Sequence, residues 1–198
     1  HVFADSENNG PRGAAFIQEF IPAIEKQFGL SHEPNARFLT GHSSGGWSVL
    51  WLLVEYPDQF GGSWSTAPDP VAFGDYCGVN LYLEKNLYTD TEGRDRQLVR
   101  PTRGKPGATF REYAVKEATT KPVGGQFYSF DAVFGPRMEV DGKYRPKPMF
   151  DRETGAIDHN VVSHWGKYDI VRKVLANRVA LEPHLKTKMH VFVGDADT

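Results

Sequence analysis

Gly41-His42-Ser43-Ser44-Gly45-Gly46 is the run whose residue types and spacing together point to covalent chemistry. A serine hydroxyl is a weak nucleophile at neutral pH. It needs a base within hydrogen-bond reach and a third group to orient that base. The flanks of this run give it a context. Arg37–Thr40 reads as a short buried strand, and Trp47–Tyr56 is an apolar run at helical spacing. Strand, G-x-S-x-G and helix in that order predict a nucleophile elbow with Ser43 at the tip. In so sharp a turn, side chains two residues either side of the serine would collide. Glycines at 41 and 45 are expected to remove those collisions, and Gly46 to let the helix pack close to the strand. The same turn aims the first amides of the helix at the site, so the Ser44 N–H is placed to receive a developing oxyanion.

Partners for such a serine follow in the chain order acid, then histidine. Met189–Val193 is a β-rich run, and Gly194-Asp195-Ala196-Asp197 after it is a turn with two carboxylates. Either aspartate suits the acid's place, since both lie beyond Gly194 and strand alternation does not choose between them. No histidine follows Asp197. Of the seven present, His42 flanks the serine but should point away from its hydroxyl, and His190 lies within a strand. His1, His32, His159, His164 and His184 read as surface or structural residues, so a complete triad is not expected within these residues. Asp151, Glu153 and Asp158 lie near His159 and His164, but their spacing matches no metal-ligand pattern. Neither a metal nor a cofactor is expected.

The elements that must position these groups alternate between helix and strand. His1–Ala4 reads as the tail of a strand and Asp5–Gly10 as a polar turn, with Pro11 at a helix start. Phe16, Phe20, Ile24 and Phe28 recur every four residues with Ile17 and Ile21 beside them, predicting one amphipathic helix over 14–28. Pro22 should kink it and Gly29 should end it. Gly62–Thr66 is the next strand signal, and Trp165–Val179 has Tyr168, Val171, Leu175 and Val179 at helical spacing. This alternation predicts an α/β fold with a parallel sheet and helices on both faces. Sites in such sheets lie outside the carboxyl ends of the strands, where Ser43 and the Ser65–Asp69 turn would both fall. Residues 70–159 break the alternation, with many glycines, prolines, charges and aromatics. They are expected to form a long irregular, cap-like insertion, with a helix over 108–119. The 198 residues then make one incomplete domain, with core 1–69 and 160–198.

Composition narrows the function classes. Apolar residues make up 39%, enough for a substantial core. The formal net charge of -2 argues against a general nucleic-acid surface. No apolar run approaches membrane-spanning length. The single cysteine, Cys77, excludes an internal disulfide and is compatible with any redox compartment. A start at His1 and an end just past a strand signal suggest an internal stretch of a longer protein.

The chain resembles the putative esterase family of α/β-hydrolases, the group containing enterochelin esterase, S-formylglutathione hydrolase, feruloyl esterases and mycolyltransferases. The residues that carry the likeness begin with Asn9-Gly10-Pro11 and Glu19-Phe20-Ile21-Pro22-Ala23-Ile24-Glu25. They continue through Gly41–Trp47, Tyr56-Pro57-Asp58-Gln59-Phe60, Ser65–Pro70 and Gly194–Thr198. The helix with an internal proline at this distance before the serine is the most specific piece. The resemblance covers roughly residues 1–75 and 160–198. It implies Ser43 as nucleophile, the Ser44 amide as one oxyanion donor and Asp197 as the acid, with Asp195 in reserve. It also implies a histidine beyond Thr198 and a second oxyanion donor before His1.

The expected activity is hydrolysis of a small-molecule carboxylic ester through an acyl-enzyme, with the 198-residue chain itself nearly inactive. Aromatics in 70–160 would suit a feruloyl or carbohydrate ester. Two rivals are a serine peptidase of the prolyl-oligopeptidase type and a non-catalytic binding module that keeps the elbow as scaffold. The helix containing Pro22 and the Tyr56-Pro57-Asp58-Gln59-Phe60 ending argue against the peptidase.

Overall fold

The computed structural model describes residues 1–120 and 125–195. The chain divides into two compact units. One is His1–Val71 with the stretch from Asp169 onward, and the other is Ala72–Tyr168.

The first unit begins with turns rather than the expected strand tail. Ala4 is buried, and Asp5 turns back so that its Oδ1 accepts the amides of Gly13 (2.6 Å) and Ala14 (3.1 Å). That carboxylate satisfies two amides left unpaired at a helix start, because Pro11 at the N-cap position offers no side-chain oxygen. Helix α1 (Arg12–Ala15) runs into a π-helical turn (Phe16–Phe20) and then α2 (Ile21–Phe28). The single helix expected over 14–28 is thus one continuous rod with a widened middle. The Ile21 N–H bonds to the Phe16 carbonyl, five residues back. The wider turn accommodates Pro22, which has no N–H to offer and whose ring would crowd the carbonyl four residues earlier. Pro22 is taken up as a bulge in the helix, and Gly29 ends the rod in the left-handed conformation at φ 63°. Its phenylalanines are only partly covered: Phe20 and Phe28 are exposed, and Phe16 and Phe20 stack at 5.5 Å along an open cleft of about 450 Å³.

Strand β1 (Phe38–Ser43) leads into α3 (Ser44–Glu55), and β2 (Gly62–Pro68) follows. β1 is not the buried strand that was expected. Its residues alternate between exposed and half-buried, because it has only β2 beside it among the described residues. Helix α3 is the core of the unit. Its residues Gly46 to Val54 are all buried, and Trp47 and Trp51 stack at 5.3 Å.

The second unit carries a two-stranded ladder of β3 (Gln97–Val99) and β4 (Ala108–Thr109), then α4 (Phe110–Thr120) and α5 (Gln126–Phe134). A hairpin of β5 (Arg137–Val140) and β6 (Lys143–Pro146) and helix α6 (His159–Trp165) complete it. It is more ordered than the irregular insertion that composition predicts. Phe73, Phe134 and Trp165 pack with ring centroids 5.1–5.5 Å apart, and all three are fully buried. Asp131, on α5, is buried too, and its carboxylate accepts from the Met149 amide (2.9 Å) and Arg152 Nη2 (2.5 Å). Burial pushes its pKa up to about 6, against the opposing pull of Arg152.

The chain then returns to the first unit through α7 (Ile170–Ala176), α8 (Arg178–Leu185) and β7 (Met189–Phe192). The helical face read over 165–179 is in fact split among the end of α6, a 3-10 turn, α7 and α8. Val171, Leu175 and Val179 are exposed rather than buried. Apolar spacing at 3.6 residues persisted across two helix boundaries set by the Asp169 cap and Asn177.

The sheet order is β1-β2-β7, all parallel and flanked by helices, a partial α/β fold. Leu39 and Gly41 on β1 and Ser63 and Ser65 on β2 share the face toward α3. Phe38, Trp64 and Phe192 lie on the other face and are exposed, with Trp64 stacked on His190 at 4.6 Å. No helix among the described residues is long and apolar enough to cross a membrane.

Candidate active site

Ser43 ends β1 and precedes α3, and its backbone lies at φ 56°, ψ -123°. A non-glycine residue is rarely found there, and holding one there costs about 1–3 kcal/mol. The surrounding packing explains how the turn closes so tightly. A Cβ on Gly41 would meet the carbonyl oxygen of Gly45 at 2.2 Å and its carbon at 2.3 Å. A Cβ on Gly46 would come within 3.0 Å of Ser65 Oγ and of the Thr66 carbonyl. Gly41 and Gly46 therefore do what their positions predict. Gly45 differs: a Cβ there would meet nothing within 4 Å, so its part is to lend its backbone to the contact with Gly41.

Across from Ser43, β2 carries a bulge. The pairing runs from Phe38 opposite Gly62 to His42 opposite Thr66, and then jumps to Ser43 opposite Pro68. The skipped residue, Ala67, sits at φ 41°. Bulges next to functional sites re-aim the residues that follow them. Here the extra residue swings Asp69 onto the elbow. Ser43 Oγ donates to Asp69 Oδ1 at 3.0 Å, and Ser44 Oγ donates to Oδ2 at 2.5 Å. The Asp69 amide donates to the Ser43 carbonyl at 3.3 Å. His1 Nε2 lies 3.0 Å from Asp69 Oδ2, with its ring edge-on to Trp47 at 5.0 Å. Asp69 is 9% exposed and His1 8%.

Asp69 and His1 are the two residues that sequence reasoning did not assign to the site. The signal for Asp69 was its turn at the carboxyl end of β2, the end where such sites form. For His1, read as structural, there was none, since its contact spans nearly seventy residues of sequence. Ser44 is the first residue of α3, and the Ser43 side chain does not cap that helix end. Asp195 lies in the turn after β7, exposed, at the same carboxyl edge of the sheet as Ser43 and Asp69. Asp197 lies outside the described residues.

Four of the other histidines have partners away from Ser43, His164 among them with Lys167. His42 is exposed, His190 stacks on Trp64, His32 meets Glu25 at 3.0 Å and His184 meets Asp58 at 2.9 Å. Near His159 and His164, Asp151 folds a turn by accepting from the amides of Glu153 and Thr154, and Asp158 caps α6 and pairs with Lys147 at 2.7 Å. Among the described residues no three His, Cys, Asp or Glu side chains gather as a metal site would require.

The family model described as Putative esterase matches residues 13–176, from the first helix through the elbow to the end of α7. No curated protein matched. A strained serine between a parallel strand and a buried helix accords with that match, and the chain belongs to the putative esterase family, a hydrolase of ester substrates.

Proposed function

We propose that ester hydrolysis runs through Ser43. Its hydroxyl attacks the ester carbonyl, the alcohol leaves, and water then releases the acid from the acyl-enzyme. The observation that carries this reading is the backbone of Ser43 at φ 56°, ψ -123°, at the carboxyl end of β1 and the start of α3. Strain of that kind persists where the surroundings over-determine it, and such places cluster at reactive sites. The Ser44 amide, first in α3, receives the oxyanion, favoured by the positive end of the helix. The resemblance supplies the remaining roles: Asp197 as the acid, with Asp195 as its alternative, and a histidine beyond Thr198 as the base. On that reading the 198-residue chain alone is nearly inactive, because losing one member of such a set costs several orders of magnitude in rate. The substrate is a small-molecule carboxylic ester, with no nucleic acid, cofactor or metal involved.

The test is labelling of the full-length protein by a fluorophosphonate probe. Labelling that disappears in Ser43→Ala supports the reading. Labelling that survives in Ser43→Ala would move the nucleophile elsewhere, and no labelling of the parent would favour a binding module. Peptide against ester turnover separates the esterase from a peptidase.

A further inference from the structure

We propose that Asp69 is a positioning residue that aims the Ser44 N–H at the oxyanion, by holding the peptide between Ser43 and Ser44 from both of its ends. The inference rests on the proposed roles of Ser43 and the Ser44 amide, and it leaves the serine's proton to the histidine base. A trans peptide is planar, so its carbonyl and its N–H point in opposite directions. At one end of this peptide the Asp69 amide donates to the Ser43 carbonyl at 3.3 Å. At the other, Ser44 Oγ donates to Asp69 Oδ2 at 2.5 Å. One residue, the first past β2, therefore grips the carbonyl and the side chain on either side of the N–H. With the carbonyl turned toward the Asp69 backbone, the N–H points away from it.

The peptide needs such a hold. Its orientation is set by the ψ torsion of Ser43, which stands at -123° beside φ 56°, a strained pair. Left alone, the peptide would relieve strain by turning, and the N–H would turn with it. Ser44 is first in α3, so its N–H has no acceptor within the helix, and the Ser43 side chain does not cap that end. The backbone bond at 3.3 Å is long for an N–H donor, so the shorter, charge-assisted contact of the carboxylate gives the firmer grip. Asp69 is nearly buried, so bulk water competes little for its oxygens, and His1 Nε2 meets Oδ2 from a further side at 3.0 Å. Among the described residues its oxygens cap no backbone amide, which is the ordinary structural use of an aspartate after a strand. An oxyanion donor works by being aimed in advance of the reaction, which is what this double hold supplies.

No proton passes to Asp69. In the resting protein the Ser43 hydroxyl also rests on Oδ1 at 3.0 Å, and it leaves that contact when it turns to the base. The Ser44 hydroxyl and the Asp69 amide keep theirs, because neither takes part in bond making. As the Ser43 Oγ–carbon bond forms and the base takes the Oγ–H proton, the carbonyl electron pair moves to the oxygen facing the Ser44 N–H. Collapse returns that pair and breaks the bond to the alcohol, which leaves with the proton from the base. Water repeats both steps on the acyl-enzyme, and Ser43 recovers its proton as the acid departs. The charge that the Ser44 N–H meets exists only in these intermediates, so the effect of Asp69 falls on kcat rather than on KM.

The experiment measures kcat and KM for p-nitrophenyl acetate against pH, with thermal melting, for the full-length protein and its variants. These are Asp69→Ala, Asp69→Asn, Ser44→Ala, Asp69→Ala with Ser44→Ala together, and Ser43→Ala. Asp69→Ala removes the carboxylate's grip. We expect its kcat to fall at least about tenfold, towards the ~10²-fold that a whole oxyanion donor contributes, with KM within about threefold of the parent. Ser44→Ala cuts the same contact and should lose about as much, and the double variant should lose no more than the larger single loss. Asp69→Asn keeps an oxygen that can accept from Ser44 Oγ, so it should recover most of kcat, with the acid limb of the pH profile where the parent has it. A kcat loss under about tenfold in Asp69→Ala, losses that multiply in the double variant, no recovery in Asp69→Asn, or a displaced acid limb would each overturn the proposal while leaving Ser43 as nucleophile. Parental turnover in Ser43→Ala, or none in the parent, would instead remove the reading beneath it. Should Asp69→Ala not fold, Ser44→Ala carries the test, and a parental kcat there would overturn the proposal.

Discussion

Gly41→Ala is the substitution whose effect follows most directly from the packing. The added methyl would stand 2.2 Å from the Gly45 carbonyl oxygen and 2.3 Å from its carbon, whereas ordinary contact begins at 3.4 Å. Both neighbours are backbone, so no side chain can swing aside. The strand and the first turn of α3 must part by about 1 Å. Overpacking of this kind costs about 1–3 kcal/mol, and a contact between two backbones belongs at the upper end of that range. A displacement of about 1 Å at a reacting group costs on the order of 10²-fold in rate. Gly45→Ala is the internal control, because its methyl would meet nothing within 4 Å and alanine is the better helix former. Its stability should lie within about 0.5 kcal/mol of the parent. Denaturant unfolding gives the two stabilities, and fluorophosphonate labelling of the full-length protein gives the rate. If Gly45→Ala proved as unstable as Gly41→Ala, or Gly41→Ala labelled at the parental rate, the steric account of the elbow would be wrong.

Three further outcomes can be checked. Asp131 has a folded pKa of about 6, above its ordinary 3.8, so it takes up protons on folding. Its stabilising contribution is present at low pH and fades as pH rises through about 6. Asp131→Asn should flatten that slope in melting curves between about pH 4 and 6, and an unchanged slope would count against the buried carboxyl. Glu25 shows the opposite sign: the Arg37 guanidinium holds its carboxyl below the usual range through bonds of 2.6 and 3.0 Å. That contribution is lost as pH falls through the depressed value, so Arg37→Ala should lower the melting midpoint at neutral pH and lessen its further fall in acid. Asp158→Ala removes the acceptor for the Asn160 and Val161 amides at the start of α6. It should lower stability by about 1 kcal/mol, read by urea unfolding.

How much of this was legible in the sequence varies with the range of the interactions. The elbow was readable because every cause of it is local: two glycines, a serine and an apolar run within about ten residues. β2 and β7 were readable from the β-rich runs at Gly62–Thr66 and Lys188–Val193. The reading of 14–28 found the helix but not its π turn, since spacing does not say how a chain makes room for Pro22. At 165–179 the apolar period carried straight through Asp169 and Asn177, which break the helix by capping it. Asp69 escaped for a different reason. Its contact with Ser43 depends on strand pairing plus a one-residue bulge, and a bulge at Ala67 has no marker when the residue is alanine rather than glycine. The aromatic core of 72–168 was visible only as composition, because rings as far apart in sequence as Phe73 and Phe134, or Phe73 and Trp165, pair by tertiary packing.

On the proposed role of Ser43, the torsion angle at residue 43 sets reactivity and durability against each other. Glycine at that position would relax into φ 56° without penalty, so the hardiest version of this turn is one that has discarded its hydroxyl. If ester hydrolysis runs through Ser43 as proposed, a screen for heat tolerance alone would drift toward Ser43→Gly and deliver a robust protein without its nucleophile. Any campaign to toughen this enzyme therefore has to select on turnover and melting together.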